Sequence, residues 1–218
     1  MSQFAVLEHG TGTAARIVPR GEKRRRQLAA VAERTFLEHG FSATTMQMIA
    51  SEAGASKETL YRHFTSKESL FAEIVRARAA EFLGSEGELA TGPPREALAA
   101  LATNIVARMF DPSGMSLLRI VVGETARAPE LGRIFYRLGP AVVVDRVTRY
   151  LRSADSQGLI RCGEPRRAAK LFIGATVADF HLVRLMLPDT RPLSESQTRA
   201  HVRAVIAMFF ARYGAPAP

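Results

Sequence analysis

Lys57, Thr59, Tyr61, His63 and Lys67 fall within one short polar run, Ser56-Lys57-Glu58-Thr59-Leu60-Tyr61-Arg62-His63-Phe64-Thr65-Ser66-Lys67. None has the companions that catalysis needs. The histidines, His9, His39, His63, His181 and His201, form no HExxH or other metal-ligand spacing, and the single cysteine, Cys162, has no histidine near it. What the run offers is a set of hydrogen-bond donors spaced for a helix surface. Such groups reach phosphate oxygens and base edges when a helix enters the major groove. The expectation is either a contact with double-stranded DNA or a plain solvated helix surface, in both cases without enzymatic activity, metal or cofactor.

The elements that must position these residues follow from the apolar spacing. Leu60 and Phe64, at i and i+4, give Lys57–Phe64 one buried face, and Ser56 can cap its start. Upstream, Met46, Ile49, Ala50 and Ala53 predict a helix over Thr45–Ala53, opened by a capping box at Thr44-x-x-Gln47. Gly54 permits the left-handed backbone of a tight turn. Two short helices joined in this way match a helix-turn-helix. By spacing alone they match an ordinary helical hairpin equally well. Before them, Leu28, Val31, Ala32, Thr35 and Phe36 predict a helix from Glu22 that ends at Gly40. After them, Thr65-x-x-Glu68 reads as a second capping box, opening a long helix to about Leu83. Lys23 to Arg26 read either as a solvated helix face or as further backbone contacts.

The chain has 218 residues, 47% apolar and 23% charged, with a formal net charge of +9. This is enough to bury a sizeable core, and the basic balance favours polyanions. Residues 1–80 carry 12 Lys and Arg against 8 Asp and Glu, and the remainder carries 18 against 13. The excess is therefore spread along the chain, and a DNA-binding face must arise by folding. A lone cysteine excludes an intrachain disulfide, which suits a cytoplasmic location; Cys162 reads as an incidental thiol or a redox switch. No apolar stretch reaches about 18 residues, so no membrane span or membrane partner is expected.

Residues 1–20 read as a flexible arm, 21–83 as the DNA-binding domain, 84–94 as a glycine- and proline-rich connector and 95–218 as a second, helical domain. Its predicted helices are Arg95–Met109, Ser116–Ala126, Glu130–Tyr136 continuing into Ala141–Gln157, Pro165–Leu187 and Ser194–Tyr213. An all-α fold follows.

The run Phe41-Ser42-Ala43-Thr44-Thr45-Met46, then Ile49-Ala50-x-x-Ala53-Gly54-Ala55-Ser56, then Leu60-Tyr61-x-His63-Phe64-x-Ser66-Lys67-x-x-Leu70 closely resembles the N-terminal signature of TetR-family transcription regulators. The resemblance extends from about Glu22 to Phe82. Leu117–Gly123 with Pro129-Glu130-Leu131, Phe135-Tyr136 and Gly158 looks like the AefR-like subgroup. The resemblance implies a homodimeric, ligand-responsive regulator, usually a repressor, on a palindromic operator. It places Thr45 and Gln47 near the DNA backbone, Ser56, Lys57 and Thr59 at the start of the recognition helix, and Tyr61 and His63 on phosphate. It also brings the charge of Lys67, with the start of the fourth helix, to a phosphate.

Phe172 and Ala175, with Val202, Val205, Ile206 and Phe209, lie on apolar stripes that suit either an intermolecular four-helix bundle or the intrachain core. For a small-molecule effector the candidates are Arg119, Phe135, Tyr136, Asp179, His181 and Arg184, polar or aromatic positions set in apolar helices. Each reads equally as a surface group or a satisfied buried one. The expected effector is apolar or amphipathic.

Overall fold

The computed structural model describes residues 20–83 and 92–215. The expected N-terminal arm (except Arg20) and residues 84–91 of the connector lie outside them. Among the described residues eleven helices follow one another, and the one extended pairing is an isolated bridge between Ile160 and Gly214. No helix among them is long and apolar enough to cross a membrane.

The first four helices are α1 (Arg20–His39), α2 (Met46–Glu52), α3 (Lys57–His63) and α4 (Lys67–Leu83). Gly40 ends α1 at a φ of 78°, and Gly54 turns the chain between α2 and α3 at a φ of 54°, left-handed conformations that side-chain-bearing residues avoid. Phe36, Phe41 and Phe71 pack ring to ring, with centroids 5.1–6.3 Å apart, and Leu28, Ile49, Leu60, Phe64 and Leu70 close around them.

Two helix starts differ from the sequence expectation by one residue. Thr45, not Thr44, caps α2: its hydroxyl accepts from Met48 N at 3.2 Å. Thr44 is buried, and its hydroxyl donates to Gly40 O at 2.7 Å. Ser66, not Thr65, caps α4, in a reciprocal pair of bonds with Ser69 at 3.1 and 3.2 Å. In each case two adjacent hydroxyl residues could serve, and the packing of the preceding turn decides between them.

The second half contains α5 (Pro94–Met109), α6 (Pro112–Glu124), α7 (Pro129–Leu138), α8 (Pro140–Ser156), α9 (Pro165–Val177), α10 (Phe180–Met186) and α11 (Glu195–Tyr213). Proline opens five of these helices, where its missing N–H costs nothing. The core divides unexpectedly. Helices α5, α8, α9 and α11 enclose one cluster around Leu98, Ile105, Val147, Leu151, Phe172 and Phe209. Leu117 and Val121 of α6, with Leu131 and Ile134 of α7, instead complete the cluster of α1–α4. The DNA-binding half thus shares its core with two helices from beyond the connector.

The helix expected over Pro165–Leu187 is broken. Ala178, at a φ of 46°, separates α9 from α10. The carbonyl of Thr176, which an unbroken helix would pair with residue 180, accepts instead from His201 Nε2 of α11 at 2.9 Å. Nothing local in the sequence marks the break, and the partner that satisfies the freed carbonyl lies far along the chain.

Candidate DNA-binding face and effector cavity

Helix α3 is seven residues long and depends on its surroundings. Ser56 accepts from Thr59 N at 3.1 Å, and its hydroxyl lies 2.9 Å from that of Thr59. Leu60 and the flanking Phe64 are buried against α1, α2 and α4, which directs Lys57, Tyr61 and Arg62 to solvent. The Lys57 ammonium lies 5.8 Å from the Tyr61 ring centre. Thr45, Gln47 and Ser56 are exposed on the same helix-turn-helix, while Thr59 and His63 are half-buried.

Arg25 of α1 fixes the far end of α3. It donates to His63 O at 2.7 Å and to Glu73 of α4 at 2.8 Å, and its guanidinium stacks 4.3 Å from the Phe64 ring centre. Lys23 to Arg26 therefore do not all form a solvated face. One of them ties three helices together, and its position in a basic run conceals this from periodicity.

Lys67 also departs from expectation. Its ammonium turns inward and donates to Phe41 O at 2.8 Å and to Ser42 O and Thr44 O at 3.2 Å, above the Phe41 ring. Those three bonds occupy the ammonium's three N–H donors. The charge expected on a phosphate is used to tie the α1–α2 turn to α4.

The same turn reaches across to α6. Ser42 N donates to Glu124 Oε1 at 3.2 Å, and the Ser42 hydroxyl donates to Glu124 Oε2. These two bonds, aided by the charges of Arg127 and Lys67, hold the Glu124 carboxyl below its ordinary pKa. A carboxylate depressed in the folded state supports the fold above its ordinary pKa and loses that support as pH falls through the lowered value. Glu124→Gln should therefore flatten the acid limb of the stability profile below about pH 4.5. Because the pair is exposed, it should cost under about 1 kcal/mol at pH 7. Urea melts of both proteins across pH 3–7 measure this, and parallel profiles would contradict it.

A cavity of about 440 Å³ opens between α4 and the helices from α5 to α10. Its walls are mostly aliphatic and aromatic. Phe135, Tyr136 and His181 line it, as their positions suggested. Arg119, Asp179 and Arg184 do not. Asp179 is exposed. Arg119 donates to Arg184 O at 2.6 Å, and Arg184 is buried, donating to Pro188 O and Thr190 O at 2.8 Å. Those two arginines secure the end of α10 instead of facing the cavity.

Sequence reasoning missed Arg78 and Arg108, which do line it. Arg78 follows Phe71, Ile74 and Val75 at helical spacing, so a charge on an apolar stripe was the available signal. Both N–H groups of Arg78 that face α1 donate to Glu33, at 2.8 and 3.0 Å, while Glu81 and Asp111 lie within 3.2 and 3.8 Å. Burial opposes this charge, but Glu33 and then Glu81 outweigh it and raise the guanidinium's pKa.

The stripes assigned to dimerisation mostly face inward. Phe172, Val202, Val205, Ile206 and Phe209 are buried in the chain's own core. The face that α9 and α11 present outward carries Leu171 and Met208, each more than half exposed, with Gly174 and Ala175 between them in a groove of about 760 Å³. Of the six, Ala175 is half-buried and lines that groove, and the core residues Phe172, Val205 and Phe209 form its floor. Each of these helices has apolar residues around most of its circumference, so periodicity cannot separate the two sides. Cys162 lies within the same core, where burial and then Asp155 push its thiol's pKa up, away from reactivity.

A glycine-turned helix pair with a basic, hydroxyl-bearing outer helix, joined through a shared core to an apolar cavity, defines a helix-turn-helix transcription regulator. Residues 28–74 match the family described as bacterial regulatory proteins, tetR family, and residues 96–215 match the AefR-like transcriptional repressor, C-terminal domain. The chain belongs to the TetR family of DNA-binding transcription regulators. It is 42% identical over 82 residues to the HTH-type transcriptional repressor KstR2 of Rhodococcus jostii (strain RHA1), a match covering 37% of this chain and only 40% of that protein. Its fold superimposes on a TetR-family regulator from Mesorhizobium loti MAFF303099 at a TM-score of 0.76 and 27% identity, covering 90% of this chain and 100% of that one. The flavonoid-responsive regulator FrrA matches at a TM-score of 0.73 and 28% identity, with the same coverage.

Proposed function

We propose that the protein is a homodimeric repressor that binds a palindromic operator through α3 and is released by a small, largely apolar effector in the 440 Å³ cavity. The observation that carries this reading is the double use of α4 and α6. Val75 and Leu117 lie in the core of the DNA-binding half and also line the cavity. A ligand that favours one arrangement of these helices biases the position of α3, provided it binds that state more tightly. The similarity to FrrA, a flavonoid-responsive regulator, supports an aromatic effector.

Lys57 and Tyr61 contact phosphate, Thr59 reads base edges, and Thr45, Gln47, Ser56 and His63 flank them. The first-turn amides of α4 take a phosphate in place of the Lys67 ammonium. The second copy packs on the Leu171–Met208 face, which sets the two recognition helices about 34 Å apart for successive major grooves.

Selection from a random DNA pool tests the reading and should return a palindrome bound orders of magnitude more tightly than random DNA. Recovery without sequence preference would instead favour a nucleoid-type DNA-binding protein. On the selected operator, Lys57→Ala should weaken all sequences alike and reduce the slope of log affinity against log salt by about 1. Thr59→Val should change the preferred bases instead. Unaltered affinity and preference in both variants would remove α3 from the interface.

A further inference from the structure

Given an effector in this cavity, we infer that it is an uncharged, hydroxyl-bearing aromatic molecule whose hydroxyl pairs with His181. The inference rests on the proposed effector reading and concerns which chemistry the cavity accepts.

The cavity's polar groups are not equivalent. Arg78 and Arg108 are basic, but carboxylates already face both, with Arg78 bonded directly and Arg108 near one of them. Arg78 is held by Glu33, Glu81 and Asp111, and Arg108 lies 3.8 Å from Glu81. Two guanidinium groups facing three carboxylates leave no positive excess for an anion to claim. A ligand carboxylate that approaches either guanidinium meets Glu33, Glu81 and Asp111 as like charges beside it, which is costly in a partly desolvated site. A ligand cation meets the two guanidinium groups at the wall. The charge arrangement disfavours either sign.

His181 differs. It stands in the first turn of α10 and lines the cavity, yet its ring has no hydrogen-bond partner among the described residues. Burial lowers its pKa, so the imidazole is neutral near pH 7. A neutral imidazole presents one N–H donor and one lone-pair acceptor. A hydroxyl satisfies whichever nitrogen faces the cavity, since it can donate or accept. Arg119 of α6 donates to Arg184 O at 2.6 Å and so ties α10, the helix that carries His181, to the opposite wall.

The remaining wall sets the body of the molecule. Ile105, Met109, Leu118, Phe135, Val144 and Ile173 offer broad apolar surface, and the other polar group of the wall, the Tyr136 hydroxyl, belongs to a side chain that is 58% exposed at the solvent side. At the packing density of protein interiors, the volume accommodates a rigid ligand of about 20 non-hydrogen atoms.

The test uses full-length protein and a neutral apolar dye, Nile red, displaced by flavone or by 2′-, 3′- or 4′-hydroxyflavone at about pH 7. Wild type should bind at least one hydroxyflavone about 3–10-fold more tightly than flavone, the increment of one neutral hydrogen bond. His181→Phe should bind flavone as well as wild type does but lose the increment, and His181→Asn should recover part of it. A carboxyflavone should bind more weakly than flavone. An increment that persists in His181→Phe, or a carboxylate that binds more tightly than the hydroxyl, overturns the inference and leaves the effector cavity standing. If Leu118→Trp does not reduce Nile red binding, or if neither dye nor flavone binds, the cavity reading itself falls. Circular dichroism on each variant confirms that the helices are retained.

Discussion

Leu117→Ala should destabilise the protein by about 2–5 kcal/mol and also alter operator affinity, although Leu117 lies far along the chain from the helix-turn-helix. Its side chain is 1% exposed and belongs to the cluster built by α1–α4. The same side chain forms part of the cavity wall. Truncation therefore removes contacts from the DNA-binding half and enlarges the cavity in one step. For a chain of this length the stability loss corresponds to a melting point about 5–15 °C lower. Leu98→Ala is the matched control. Leu98 is equally buried, but in the α5–α8–α9–α11 cluster. It should cost similar stability while leaving the affinity of the folded protein for operator unchanged. Thermal melts with fluorescence anisotropy on labelled operator, well below the transition, measure both effects. If the two variants bind operator alike, the shared core does not transmit to α3.

What the sequence made legible depended on whether the controlling interaction was local. The helix-turn-helix could be read because its determinants sit close together: Gly54 for the turn, Ser56 for the cap, Leu60 and Phe64 for the buried face. The caps of α2 and α4 were displaced by one residue because Thr44 and Thr45, or Thr65 and Ser66, carry the same hydroxyl. The break at Ala178 could not be read at all, since the group that satisfies the freed Thr176 carbonyl, His201, lies far along the chain in α11. The candidate cavity residues divided for a related reason. A polar side chain in an apolar helix signals a special environment but not which one. His181 faces the cavity, whereas Arg184 satisfies backbone carbonyls at the end of its own helix. Arg25 and Lys67 show the converse: residues in basic or family-matched positions whose charges serve the fold.

Lys67→Met separates those two roles for a lysine. At the first position of α4 its charge opposes the helix dipole, so something must compensate. The three carbonyls of Phe41, Ser42 and Thr44 do so, and each loses its donor in the variant. Hydrogen bonds from a charged group contribute about 1.5–3 kcal/mol each when well buried. Because this ammonium is only partly buried, the whole set should amount to about 2–4 kcal/mol. The loss should appear in the free protein as a lower urea midpoint, with no DNA present. The folded fraction should keep the wild-type salt slope on operator, in contrast to Lys57→Ala, because an ammonium bonded internally releases no counterion from DNA. A normal urea midpoint with a slope reduced by about 1 would return Lys67 to the phosphate. The consequence reaches further than α4. Ser42 accepts from Lys67 through its carbonyl and donates to Glu124 through its amide and hydroxyl. Lys67, Ser42 and Glu124 thus form a continuous polar link from α4 through the α1–α2 turn to α6. Removing the ammonium should weaken the Glu124 contact as well, so Lys67→Met and Glu124→Gln should be less than additive when combined.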